Sequence, residues 1–241
     1  MGALLDAWRT LRPPAGDRHG PLSPLLVGLT FLTGLVDAVS YLKLGHVFVA
    51  NMTGNVVFLG FALAGSRGLS TSSSLLALGL FLVGALVGGR LAADLDNRAR
   101  LLRAGNAIQA ALICAALVAE LVLHPHGNLR DDLLIVLLAA AMGVQNAVAR
   151  RLAVPDLTTT VLTLTLTGIA ADPASAGTER SKLGRRVLAV VTMALGALTG
   201  GLLVLRVSIA VALALALALV ALTGFSVHLL SRSGARWISP D

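Results

Sequence analysis

Hydrophobic residues come in eight runs along the chain, at roughly 22–42, 46–64, 74–93, 105–123, 132–149, 157–171, 184–205 and 207–230, with most of the charge confined to the short stretches between them. A helix rises about 1.5 Å per residue and the hydrocarbon core of a bilayer is about 30 Å thick, so about 20 apolar residues make one crossing. Most of the runs reach or approach that length. The last contains IAVALALALALVAL, whose Ala/Leu alternation imitates a strand, but both residues are strong helix formers and the run has the length of a membrane helix. The pattern predicts an all-α, polytopic transmembrane bundle in which six runs span and two, 46–64 and 157–171, are short or re-entrant.

Sliding the second half back by about 110 positions brings out an internal repeat. Gly34-Leu-Val-Asp-Ala-Val39 falls on Gly143-Val-Gln-Asn-Ala-Val148, so Asp37 meets Asn146. Asn51-Met-Thr-Gly54 falls, after one gap, on Val161-Leu-Thr-Leu164, and Gly84-Ala-Leu-Val-Gly-Gly89 falls on Gly196-Ala-Leu-Thr-Gly-Gly201. One such match is weak, whereas three in order at nearly one offset predict a single membrane domain, 22–230, built from two units, 22–128 and 131–230. The flanks, 1–21 and 231–241, read as a basic tail and a short tail, both cytoplasmic.

Charge then chooses the topology. Lys and Arg concentrate on the cytoplasmic side of short loops. If all eight runs span, eleven of the 19 basic residues lie inside; with six spans and two re-entrant segments, fifteen do, leaving Lys43, Arg67, Arg130 and Arg206 outside. The six-span arrangement inverts the second unit relative to the first, a recurrent plan for transporters and channels.

Composition narrows the function. At 56% hydrophobic and 13% charged residues, with mean hydropathy +0.85, the chain has no room for a soluble catalytic domain. Its net charge of +7 sits in clusters beside apolar runs, which predicts anionic lipid headgroups as the partner and no nucleic acid. No phosphate loop, nucleophile elbow, zinc motif or dinucleotide fingerprint is present, so neither catalysis nor a cofactor or metal is expected. The one cysteine, Cys114, lies in an apolar run and reads as packing. Trp8 and Trp237 read as interfacial anchors on one membrane face.

The densest polar cluster in an apolar setting is Asp37 and Ser40, followed by Asn51, Thr53, Gly54 and Asn55. A carboxylate inside a membrane helix costs about 2.5–3.5 kcal/mol on insertion scales, which marks Asp37 for a functional role or for a partner such as Lys43. Asn51, Thr53 and Asn55 offer oxygens for a cation or polar solute, or hydrogen bonds between helices. Gly54 lets backbone or ligand approach closely. The matching set in the second unit includes Gln145, Asn146, Thr160 and Thr163, with no acid among them.

The runs Gly34-Leu-Val-Asp-Ala-Val-Ser40 and Val47-Phe-Val-Ala-Asn-Met-Thr-Gly-Asn55, with Gly143-Val-Gln-Asn-Ala-Val-Ala-Arg-Arg151 and the threonines after it, resemble the bacterial YoaK family of membrane proteins. The resemblance covers most of 22–230 and implies a polytopic inner-membrane protein of uncharacterised activity; it supplies no substrate. The chain departs from that pattern at Leu164, where a second Thr-Gly pair would place glycine. The resulting expectation is a secondary transporter or permease for a small polar solute or ion. A passive channel and a non-transporting scaffold are the alternatives, with self-association of the chain left open.

Overall fold

The computed structural model describes residues 2–14, 16–123, 128–155, 157, 162–171, 180–231 and 236–238. Among them lie nine α-helices, α1 (Gly2–Leu11), α2 (Leu22–Lys43), α3 (Met52–Leu63), α4 (Thr71–Asp94), α5 (Arg98–Val122), α6 (Asn128–Leu152), α7 (Leu162–Ala171), α8 (Arg180–Arg206) and α9 (Ile209–Leu230), and a short 3-10 turn at Arg236–Ile238. Six of these, α2, α4, α5, α6, α8 and α9, are long and apolar enough to cross a membrane. No strand occurs among the described residues, and the Ala/Leu run at the C-terminal end is helix α9.

Two helices form the centre. In α2 and α6 two-thirds of the most apolar stretch is buried, against 22% in α4 and 28% in α8, so the latter pair supply the outer wall. The apolar side chains they turn outward, such as Leu82 and Leu86 on α4 and Leu198 and Leu202 on α8, are what lipid requires of a bundle surface.

Glycine sets the closest approaches. A Cβ on Gly34 would stand 2.1 Å from the Met193 carbonyl oxygen, one on Gly196 2.0 Å from that of Phe31, and one on Gly200 2.5 Å from that of Leu35. On the other side a Cβ on Gly143 would stand 2.1 Å from the Phe81 carbonyl oxygen, one on Gly84 2.1 Å from that of Ala140, and one on Gly88 2.9 Å from that of Val144. Backbone touches backbone at both seams, which only small residues permit. The order of the contacts makes α2 parallel to α8 and α4 parallel to α6. They also correspond pair by pair: Gly34–Met193 becomes Gly143–Phe81 and Gly196–Phe31 becomes Gly84–Ala140 under the displacements, 109 for α2 to α6 and 112 for α4 to α8, at which the sequence motifs match.

The short helices do not cross. Gly45, just past α2, lies 3.6 Å from Ser73 at the start of α4 when a Cβ is placed on it, so the chain carrying α3 leaves and returns at one end of the bundle. Past α6, the Pro155 carbonyl accepts from Arg185 Nη1 of α8 at 3.5 Å, so the stretch holding α7 also returns to where it left. At 12 and 10 residues, α3 and α7 measure about 18 and 15 Å, well short of the hydrocarbon core. The run 46–64 is near spanning length in sequence, but its first residues are not helical: Gly45 and His46 take left-handed φ values of +90° and +57° and reverse the chain after α2. Since α4 runs against α2 and α6 runs with α4, α2 and α6 point in opposite directions.

The described part of the N-terminal flank is helical and packed. The first stretch forms α1, whose Asp6 and Thr10 are buried against the start of α8, where Arg185 N donates to Asp6 Oδ2 at 2.8 Å. Its opposite face, Leu4, Leu5, Trp8 and Leu11, is exposed. Trp237, expected as an anchor, is instead packed against Gly20 and only 3% exposed. Cys114, expected as packing, is exposed on α5, and Arg130 belongs to α6, where it pairs at 3.3 Å with Glu120.

Candidate functional site

On α2, Thr30, Thr33, Asp37 and Ser40 are all buried, and their spacing of three, four and three residues aligns them along one face. Thr30 and Thr33 donate to the carbonyls of Leu26 and Leu29 at 2.9 and 3.0 Å, and Ser40 Oγ to that of Asp37 at 3.2 Å. A buried polar line therefore follows the central helix.

Asp37 is clasped from outside its own helix. Its Oδ1 accepts the backbone N–H groups of Val49 at 3.0 Å and Ala50 at 2.8 Å, and its Oδ2 accepts from Asn51 Nδ2. These donors lie just ahead of α3, whose positive N-terminal end suits a carboxylate. Lys43, the partner considered on sequence grounds, is replaced by backbone.

Asn55, on α3, closes the hairpin that the non-helical residues 44–51 make with that helix. Fully buried, it accepts from Phe48 N at 2.8 Å through Oδ1 and donates to Phe48 O at 2.5 Å through Nδ2, engaging both polar groups of one peptide residue. Gly54 is required here: a Cβ on it would fall 2.7 Å from the Phe48 ring. That ring stacks on Tyr41 and on Phe58, with centroids 5.1 and 5.7 Å apart. The hairpin is thus held by one carboxylate, two amides and an aromatic cluster.

Of the residues singled out in the first unit, Asp37, Ser40, Asn51, Gly54 and Asn55 come together, while Thr53 turns outward and is exposed. In the second unit Asn146 is half-buried, its Nδ2 donating to Met142 O at 2.9 Å. Thr163 is exposed and its carbonyl accepts from Thr167. Thr160 lies outside the described residues.

Gln145 stands apart from Asn146 and joins the α2 line from the other side. Its Nε2 donates to Thr33 Oγ1 at 2.9 Å and to Leu29 O at 3.3 Å, while its Oε1 accepts from Gln109 Nε2 of α5 at 2.6 Å. Gln109 and Gln145 are 1% and 3% exposed, so three helices meet through neutral amides in the middle of the bundle. Sequence reasoning missed Gln109 and Thr33. The signal available was the pair Asn106 and Gln109, two amides one turn apart inside an apolar helix.

The arrangement is a buried run of hydroxyl, amide and carboxylate groups, each engaged with backbone or with another member of the run. Among the described residues there is no cluster of three His, Cys, Asp or Glu that could hold a metal.

The family profile described as "Protein of unknown function (DUF1275)" matches residues 25–226. The chain is similar to the UPF0700 transmembrane protein YoaK of Bacillus subtilis (strain 168), with 33% identity over 148 residues, 61% of this chain and 65% of that one. The aligned stretch therefore spans just under two-thirds of that relative's length. No solved structure matches.

Proposed function

Because the chain belongs to the DUF1275 family, whose description carries no activity, we propose its function from geometry: a secondary transporter or permease for a small polar solute or ion in the bacterial cytoplasmic membrane. The observation that carries the reading is the buried line Thr30, Thr33, Asp37 and Ser40, extended across two further helices by Gln145 and Gln109. Polar groups at such depth cost insertion free energy, and hydrogen bonds between membrane helices return only about 0.6 kcal/mol each on average. A bundle needing stability alone is better served by packing.

Two features support the plan. The paired glycine contacts are what a duplicated three-span unit, 22–128 and 131–230, produces when its copies are inserted in opposite senses. In that arrangement both termini are cytoplasmic, on the side given fifteen of the 19 basic residues. The hairpin with α3 stands over the upper part of the polar line, and releasing its Asp37 clasp would uncover that line.

A scaffold is the second reading, and one observation favours it: Asp37, Asn51 and Asn55 are satisfied by neighbouring backbone and by one another. Cysteines at Thr33 and Gln109, introduced one at a time into Cys114→Ala protein in sealed vesicles, separate the two. A pathway predicts reaction with a membrane-impermeant thiol reagent and, once a solute is found by vesicle swelling, blocked flux. Complete protection at both positions with native folding would leave the scaffold.

A further inference from the structure

The two glycine seams differ at one depth. At the α2–α8 seam, the space over Gly201 is taken by Leu42, whose Cδ1 lies 3.6 Å from where a Cβ would stand. At the α4–α6 seam the corresponding residue is Gly89, with nothing within 4 Å of such a Cβ. The residue matching Leu42 at the displacement of the motifs is Arg151, with Arg150 in place of Tyr41. Where the first seam has Tyr41 and Leu42, the second has two arginines, and both are exposed.

The result is a groove-like cavity of about 1000 Å³ between α4 and α6. It is lined by Phe81, Ala85 and the exposed Gly89 of α4 and by Asn146, Arg150 and Arg151 of α6. The two arginines lie in the last turn of α6, at the end of the bundle where α4 also ends and α2 begins. Two guanidinium groups over an apolar trough match an anion that carries a hydrocarbon chain: planar donors take the phosphate or carboxylate, and the trough takes the chain.

We propose that the α4–α6 groove is a binding site for an amphipathic anion, an acidic headgroup with an acyl or alkyl tail, held by Arg150 and Arg151 with the tail along Phe81 and Ala85. Lipids of an anionic leaflet and soluble alkyl phosphates share this chemistry. The site does not depend on whether anything passes along the α2 polar line.

Gly89 provides the decisive variant, since a larger side chain there enters open space. Full-length protein in a neutral maltoside detergent, and its Gly89→Leu and Arg150→Gln/Arg151→Gln variants, would be titrated with phosphatidylglycerol, phosphatidylcholine and decyl phosphate and read by native mass spectrometry. The expected result is one tightly retained phosphatidylglycerol, bound at least about tenfold more weakly by each variant, with phosphatidylcholine retained no better by wild type than by the variants. Retention of decyl phosphate alone, with the same variant losses, assigns the groove to a soluble anion. Equal binding of both acidic probes to wild type and Gly89→Leu overturns the site, whatever the fate of the arginine variant.

Discussion

A single carboxylate organises the first hairpin. Asp37 accepts from two backbone N–H groups and one side-chain amide belonging to residues 49–51, so it ties a non-helical stretch to the central helix. Asparagine at this position keeps one oxygen for the backbone donors but turns its own NH₂ toward that of Asn51, bringing two donors together. Asp37→Asn is expected to lower stability by about 1–3 kcal/mol, the cost of a buried polar group left unmatched. Unfolding in detergent, followed together with proteolysis at residues 44–51, measures it; an unchanged melt with an equally resistant hairpin would contradict the clasp. Asn55 is as deeply engaged, whereas Thr53, one residue from Gly54, is exposed. Sequence proximity had grouped the three together, and only the turn of α3 separates them.

The long helices depend on glycine where they touch. A methyl group on Gly34 would need to occupy space 2.1 Å from the Met193 carbonyl, so α2 and α8 would have to part; one on Gly79 meets nothing within 4 Å. Gly34→Ala is accordingly expected to destabilise the protein by about 1–3 kcal/mol or more, while Gly79→Ala, with its better helix propensity, is expected to be neutral or slightly stabilising. Parallel thermal melts of the two variants check this, and equal melting points would refute the seam. The lengths and helical state of the long elements were readable from their apolar runs. The boundary of α3 was not, because the run 46–64 is continuous in hydropathy and only the left-handed pair Gly45 and His46, with the Asp37 contacts, keeps its first residues out of the helix.

For the whole molecule, both short helices lie in excursions that begin and end on one side, and the two excursions sit at opposite ends of the bundle because α2 and α6 are antiparallel. Cysteines at His46 and Ala153, both exposed positions, are therefore expected to label from opposite faces of the membrane in Cys114→Ala protein. Impermeant reagent applied to right-side-out and inverted vesicles tests this, and labelling of both from the same face would rule out the arrangement.

Sequence by itself determined that this chain lives in a membrane, that its spanning elements are helices, and that Asp37 and the amides after it are unusual. Apolar run length, helix propensity and the cost of burying charge act locally and leave their mark in composition. Tertiary structure alone decided that α2 seats on α8 and α4 on α6, that Gln109 and Gln145 meet, that Trp237 is buried, and that the space over Gly89 stays open. Those outcomes depend on which backbones approach closely enough to touch, and a glycine facing a carbonyl reads the same in sequence as a glycine facing lipid.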